Sequence, residues 1–346
     1  MNNKLITYKK SGVNINAADK FVNFISSVSS KKRGKKKFSN IGGFGSISDI
    51  PNQIKQPKIV ACTDGVGTKI MLYNDYKNEE GISINNLGID LVGMVLNDIV
   101  CTGAKPIFFN DYLSVNNIEG IDALGLIDGI NEGLKQCGNV PFLGGETAIM
   151  SDMYKSNEFD IAGFGVGVCP KEHFIDGSNI SEGNVMIGLK SDGFHSNGYT
   201  LIRKVLEENP FDMSILKDLL TPTRLYVEPI LKVLSKYRNG VNGIAHITGG
   251  GRSNVDRLMG EDMNLRPKWF DENHLTDEMK FIQKAGSISD IEMRRVFNNG
   301  IGMVLVVTKE VAGDIILLLE AMGESPIQVG LIESRLSGEY NDSLKG

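Results

Sequence analysis

The chain has 346 residues, enough for one large or two medium domains. Its 41% hydrophobic and 23% charged residues are those of an ordinary soluble globular protein, and its net charge of −5 argues against a nucleic-acid partner. Met1-Asn2-Asn3-Lys4-Leu5 has no signal-peptide core, and no apolar run approaches the roughly 20 residues that span a bilayer. The expectation is therefore a cytoplasmic protein with no membrane partner. Cys62, Cys101, Cys137 and Cys169 are widely spaced without a CxxC pair, which disfavours zinc and suits reduced thiols.

Taken in order, the first apolar periodicity is Ala17 to Val28, with Phe21, Phe24, Ile25 and Val28 at helical spacing. The basic run Lys31 to Lys37 reads either as a nucleic-acid or nuclear-targeting patch or as a solvated segment, and the acidic whole favours the second. Ile41-Gly42-Gly43-Phe44-Gly45-Ser46 reads as a flexible lid over phosphates or as a linker. Next, the apolar run Ile59-Val60-Ala61-Cys62 reads as a short strand leading into Thr63-Asp64-Gly65-Val66-Gly67-Thr68-Lys69. This motif is either a polar turn or a ligand loop. In the second reading Asp64 offers oxygens to a hard cation such as Mg²⁺, and Lys69 offers a point charge to a phosphate.

Ile89 to Val100 predicts a helix with an apolar stripe of Ile89, Val92, Leu96 and Ile99/Val100. Asp90 and Asn97 fall nearly above one another, with Asp98 rotated by about 80° from Asp90. A carboxylate among apolar neighbours needs a partner or a metal. Phe108 to Leu113 predicts a strand, and Ile121, Leu124, Ile127, Ile130 and Leu134 mark a helix. Val140 to Leu143 predicts a short strand ending in a glycine turn, Gly144-Gly145-Glu146-Thr147. Phe159 to Cys169 alternates Ile161, Gly163, Gly165 and Gly167 with Ala162, Phe164, Val166 and Val168, a strand whose glycine face implies close approach by another element. Neither G-x-G-x-x-G nor the Walker pattern occurs.

The turn-rich stretch Pro170 to Gly183 marks a domain boundary. Strand Val185 to Leu189 then leads through Ser191-Asp192-Gly193-Phe194-His195-Ser196-Asn197-Gly198 into helix Tyr199 to Glu207. That loop is either an anion site at a helix start or a simple cap by Ser196 or Asn197. A helix over Thr223 to Lys236 follows, then Ile244-Ala245-His246-Ile247 running into Thr248-Gly249-Gly250-Gly251, where His246 is either a structural group or part of a site. Strand Ile301 to Val307, helix Glu310 to Met322 and strand Ile327 to Ile332 complete a mixed α/β pattern.

Nine stretches in one order carry a family resemblance. They are Tyr8 to Ile15, Ile41 to Gly45, Thr63 to Lys69, Gly88 to Val92 with Asn97-Asp98, Gly144 to Ala148, Asp160 to Phe164, His195 to Tyr199, His246 to Gly251 and Phe297 to Met303. The chain resembles the aminoimidazole ribonucleotide synthetase (phosphoribosylformylglycinamidine cyclo-ligase) family. The same superfamily holds formylglycinamidine synthetase, thiamine-monophosphate kinase and selenophosphate synthetase. The resemblance implies two mixed α/β domains, the N-terminal one pairing into a dimeric barrel-like sheet. It implies ATP-dependent ring closure of formylglycinamidine ribonucleotide to aminoimidazole ribonucleotide in purine biosynthesis, with ATP and Mg²⁺, in a homodimer. The implied organisation is a flexible segment and lid over 1–57, an ATP-binding and dimerisation domain over 58–170 and a C-terminal domain over 171–346.

Carried onto this sequence, the resemblance assigns ATP to Gly42, Gly43, Phe44, Gly45, Asp64, Gly65, Gly67, Thr68, Lys69, Asn97, Asp98, Gly145 and Glu146. The metal falls to Asp64 and Asp98. The substrate falls to Ser191, His195, Ser196, Asn197, Gly198, Thr248, Gly249 and Gly250, and catalysis to His195, His246 and Lys69. Residues 31–46 would order over the nucleotide. The chain departs from the family pattern at Asn116-Asn117-Ile118-Glu119, at Ile149 and Ser151, and after the triple glycine. There Arg252 and Ser253 stand where an apolar residue and Glu are common, and Asp256 where Pro is common. The alternatives are another ATP-using enzyme of the superfamily, such as a thiamine-monophosphate kinase, or a non-catalytic nucleotide-binding scaffold. The absence of a Cys before Cys62 speaks against a selenophosphate enzyme.

Overall fold

The computed structural model describes Lys20 and residues 48–52, 54–259, 264–270 and 274–335. The basic run 31–37, the glycine-rich segment with Gly42, Gly43, Phe44 and Gly45, and the helix expected over 17–28 (apart from Lys20) lie outside these residues.

Strand β1 (Pro57–Gly65) takes in Thr63, Asp64 and Gly65 of the Thr63–Lys69 motif, and Lys69 opens helix α1 (Lys69–Tyr76). Helix α2 (Asn85–Cys101), strand β2 (Lys105–Val115), helix α3 (Ala123–Gln136), strand β3 (Phe142–Ile149) and strand β4 (Phe159–Pro170) follow. The sheet order is β1-β4-β2-β3, with β4 antiparallel to both neighbours and β2 parallel to β3. The expected glycine turn at Gly144 to Thr147 is instead the body of β3, because those residues pair with Asp111 to Leu113. Gly145 is required there: a Cβ would stand 1.9 Å from the Asp111 carbonyl.

The glycine face of β4 is covered by α2. A Cβ on Gly163 would stand 2.5 Å from Phe109, on Gly165 2.7 Å from Val95, and on Gly167 2.4 Å from Ile99. The missing side chains thus let α2 lie close against the sheet. Helix α2 does not keep the single apolar stripe its sequence suggests. Leu87, Leu91, Val92, Val95, Leu96, Ile99 and Val100 are all buried, whereas Ile89 is only half-buried. The helix touches the first sheet, α3 and elements of the second half, so almost no face meets water.

The second half contains β5 (Val185–Lys190), α4 (Tyr199–Glu208), α5 (Ile215–Leu219), α6 (Val227–Tyr237), β6 (Val241–His246), α7 (Ser253–Asp256), β7 (Leu265–Trp269), α8 (Asp277–Ala285), α9 (Asp290–Val296), β8 (Ile301–Val307), α10 (Lys309–Ala321) and β9 (Pro326–Ser334). Its sheet is antiparallel throughout, in the order β6-β8-β5-β9-β7. Met303, Leu305 and Val307 of the central β8 are fully buried together with Ile187, Leu189 and Ile230. The helix expected from Thr223 begins only at Val227, and residues 223–226 instead run along α2.

Candidate active site at the seam between the two halves

The halves are joined by polar pins. Lys69 Nζ lies 2.8 Å from Asp90 Oδ2, and both side chains are fully buried. The same ammonium donates to the carbonyls of His195 (2.9 Å) and Thr221 (2.6 Å). Asp90 Oδ1 also accepts from Ser196 Oγ (3.0 Å), the Thr223 amide (2.7 Å) and Thr223 Oγ1 (2.7 Å). Seven residues along α2, Asn97 donates to the Arg224 carbonyl (2.9 Å) and accepts from the Tyr226 amide (2.9 Å).

These contacts revise part of the expected site. Lys69 directs its three N–H donors at protein oxygens, so it holds the halves together and has none left for a phosphate. Burial pushes its ammonium below the usual lysine range, with Asp90 opposing that shift. Asn97 and Ser196 likewise turn inward and position the seam. Ser191 Oγ donates to Asn298 (3.2 Å), whose amide donates to the Gly193 carbonyl (2.9 Å), so Ser191 shapes the loop. Helix α4 has Gly198 in the left-handed conformation (φ 78°) at its start and no side-chain cap among the described residues, which sets aside the simple-cap reading.

Outside the pins, three expected residues converge. His246 Nδ1 lies 2.8 Å from Asp98 Oδ1. The Asn97 amide lies 3.4 Å from His246 Nε2, which fits an imidazole donating through Nδ1 and accepting at Nε2. Asp64 is held by the Gly65 amide (2.8 Å). Burial raises the Asp64 carboxyl above its usual value, the Gly65 amide offsets part of the rise, and the Asp98 charge adds to it. Cys62 sits between them; burial and both carboxylates push its thiol up to about 12, so it stays protonated. A carboxyl whose proton affinity is raised by burial and by a neighbouring carboxylate is suited to a cation. Mg²⁺ takes one or two carboxylates and completes its shell with water and phosphate oxygens, so Asp64 and Asp98 fit it. Among the described residues no three His, Cys, Asp or Glu side chains group as a metal site by themselves. Gly65, Gly67 and Thr68 form the turn beside this pair, with exposed Gly67 at φ 72°.

His195 lies at the centre of the seam. It adopts φ 59°, a conformation side-chain-bearing residues rarely hold, and its ring is 1% exposed. Neither ring nitrogen has a hydrogen-bond partner among the described residues. Its centroid is 6.2 Å from that of His246 and 6.1 Å from that of Tyr226. Burial, then the nearby His246, Lys69 and Arg224, lowers its basicity well below the usual range, so the ring is uncharged. An orphaned buried imidazole in a strained backbone is a costly arrangement of the kind that recurs at working sites. Asn197 Oδ1 would lie 3.2 Å from a Cβ on Gly249, so the His195 loop and the Thr248–Gly250 loop face one another. Gly145 and Glu146 are exposed on β3.

Three contributors were not singled out in the sequence. Thr223 and Tyr226 form the seam; Tyr226 also donates to the Lys190 carbonyl (2.7 Å). Asp111 is a buried carboxyl in the sheet row Asp64–Gly163–Asp111–Gly145. Burial, aided by Glu146, pushes it to about 7. Its signal was the polar pair Asn110-Asp111 inside an otherwise apolar strand.

The two halves match two family models: AIR synthase related protein, N-terminal domain, over residues 51–169, and AIR synthase related protein, C-terminal domain, over residues 181–339. The chain belongs to the AIR synthase-related family. Among its relatives, a phosphoribosylformylglycinamidine cyclo-ligase of Fusobacterium nucleatum is 41% identical over 350 residues, covering 98% of this chain and 99% of the relative. One of Neisseria meningitidis serogroup C is 40% identical over 351 residues, covering 98% of each. Among solved structures, the hydrogenase maturation protein HypE in complex with ATP has the same fold, with a TM-score of 0.66 at 12% identity, covering 94% of this chain and 88% of that one.

Proposed function

We propose that this chain is a phosphoribosylformylglycinamidine cyclo-ligase: with ATP it closes formylglycinamidine ribonucleotide to 5-aminoimidazole ribonucleotide, releasing ADP and phosphate. The observation that carries the reading is the meeting of Asp64, Asp98, His246 and the orphaned His195 at one seam, in a chain about 40% identical to enzymes of that name along its length. An amide oxygen is a poor leaving group. Transfer of the ATP γ-phosphoryl to it makes an iminophosphate, and an internal amine attacks that carbon as phosphate departs.

Asp64 and Asp98 would hold Mg²⁺, which neutralises charge on the ATP phosphates. The amides of the Gly65–Thr68 turn lie beside them for the same phosphates. A HypE of the same fold is known in complex with ATP, which supports use of this nucleotide. His246, fixed by Asp98 and Asn97, orients the carboxylate. His195 and the glycines at 198, 249 and 250 belong to the ribonucleotide, whose folded conformation brings amine and amide carbon together. Glu146 and Gly145 border the nucleotide from β3, and Gly42 to Gly45 would close over it as a lid. Residues 58–170 then form the nucleotide and pairing domain and 171–346 the C-terminal domain of a cytoplasmic homodimer. The deciding experiment is ADP release measured with and without formylglycinamidine ribonucleotide. Release that depends on this substrate supports the reading, and release that ignores it overturns it.

A further inference from the structure

The stretch between α5 and α6 is a strap across the two halves. Its main chain is bound to α2: the Thr223 amide donates to Asp90, the Arg224 carbonyl accepts from Asn97, and the Tyr226 amide donates to Asn97. The Arg224 side chain runs the other way, into the second half. Its Nη1 lies 2.6 Å from Asp192 Oδ1 and its Nη2 lies 2.9 Å from Glu324 Oε2. Glu324 stands in the turn between α10 and β9, and its side chain is 12% exposed. It occupies one prong of the guanidinium fork and so directs the other at Asp192. Asp192 belongs to the loop that carries His195.

We propose that Arg224 is a positioning residue: through Asp192 it holds the His195 loop in register with the Asn97–Asp98 end of α2. The inference rests on the ring-closure reading and adds to it a residue that touches neither ATP nor substrate. Asn298 grips the same loop from another side, accepting from Ser191 Oγ and donating to the Gly193 carbonyl. Gly193 bends the chain there at φ 136°, a conformation that favours glycine. Further along, Lys69 Nζ donates to the His195 carbonyl and Ser196 Oγ donates to Asp90. The backbone is thus fixed on both sides of His195, while neither ring nitrogen has a partner among the described residues. That division suits a group whose backbone must be rigid and whose ring must meet a ligand. Arg224 adds register between the halves. Asn97, which holds its carbonyl, precedes Asp98, the residue that would hold Mg²⁺ beside the ATP phosphates. One residue therefore ties the helix of the phosphoryl donor to the loop of the acceptor. Asp192 is 45% exposed, so its pairing with Arg224 adds little to global stability and acts on the loop.

Hydrogen exchange of residues 191–198, followed by mass spectrometry on the full-length protein, reads the loop without reference to any reaction. Arg224→Gln and Asp192→Asn should each speed that exchange roughly tenfold, the usual loss of one charge-assisted contact. The kcat of substrate-dependent ADP release should fall roughly ten- to a hundredfold, the scale of a misplaced reacting group, with the KM for ATP within about twofold of wild type. The double variant should be no slower than the slower single one, because both changes break the same contact. Asp192→Asn carries the test alone should Arg224→Gln lose its circular dichroism. Wild-type ADP release that ignores formylglycinamidine ribonucleotide sinks the ring-closure reading, and the exchange comparison then decides the role of Arg224. Unchanged exchange or unchanged kcat in Asp192→Asn, or a double variant whose loss is the product of the two single losses, overturns the proposal.

Discussion

At the scale of single residues, the seam separates groups that hold from groups that act. Asp98 faces outward with its carboxylate fixed by His246, and Asp98→Asn removes one charge while keeping the shape. It should lower Mg²⁺-dependent ATP affinity with little change in melting temperature; calorimetric titration with Mg²⁺-ATP checks this, and unchanged affinity removes Asp98 from the metal set. His195 calls for a different substitution. Its ring is buried, so alanine would leave a cavity, and its positive φ is one that asparagine tolerates. His195→Asn should reduce turnover roughly 10²–10³-fold, the usual loss for one transition-state donor, with ATP affinity intact. Turnover near wild type would place His195 among the structural residues. Asp111 makes a pH prediction. Its folded-state pKa, raised from 3.8 to about 7, lies above the unfolded value. Below about pH 4 both states hold the proton; between about 4 and 7 only the folded state keeps it, so stability falls as pH rises through that window. Asp111→Asn should flatten this fall, by a few kcal/mol at most. Denaturant melts of both proteins at pH 5 and pH 8 test it, and an unaltered difference between the two pH values would refute it.

At the scale of elements, the Lys69–Asp90 pair fastens α1 and α2 to the loops after β5 and α5. Removing one member leaves a buried charge without its counterion, which typically costs about 3–5 kcal/mol. Lys69→Met should therefore lower the denaturation midpoint strongly, whereas a lysine serving only a phosphate would leave the midpoint unchanged. The same pins explain what the sequence could and could not convey. The strands and helices around β4, β5, β8 and α10 follow local periodicity and were legible from it. Residues 223–226 lack helix although Leu225 and Tyr226 continue the apolar rhythm of α6; their irregular course is set by Asp90 and Asn97, more than 120 residues away in sequence. Strand β7 was missed because Pro267 breaks the strand signal, a residue tolerated there because β7 is an edge. In the site, Asp64, His195 and His246 stood out as an acid and imidazoles beside glycines near strand ends, and Asp98 as an acid on a helix otherwise striped with apolar residues. Lys69 looked identical to a phosphate ligand, because sequence does not reveal which way a lysine at a helix start will turn.

At the scale of the whole molecule, the first sheet has one face too many. Its inner face is sealed by α2, yet its outer face exposes Ile59 at 61%, Tyr112 at 40% and Phe164 at 40%. The strand register places all three on one side, since Ile59 opposes Val168, Tyr112 opposes Ala162, and both share a face with Phe164. Large exposed apolar side chains on one sheet face mark an interaction surface. A second copy is the natural occupant, because two such sheets facing each other hide the same residues twice and close into a barrel-like core. The expected state is a homodimer built on this face. Phe164→Glu would place a charge at its centre on each copy, burying two uncompensated carboxylates if the dimer persisted. Sedimentation velocity should show wild type at twice the chain mass and Phe164→Glu at 37.8 kDa. The side chain points away from α2 and the Asp64 cluster, so the variant should keep its far-ultraviolet circular dichroism and its fold. A wild-type monomer, or a Phe164→Glu protein that remains dimeric, would move the interface elsewhere or remove it.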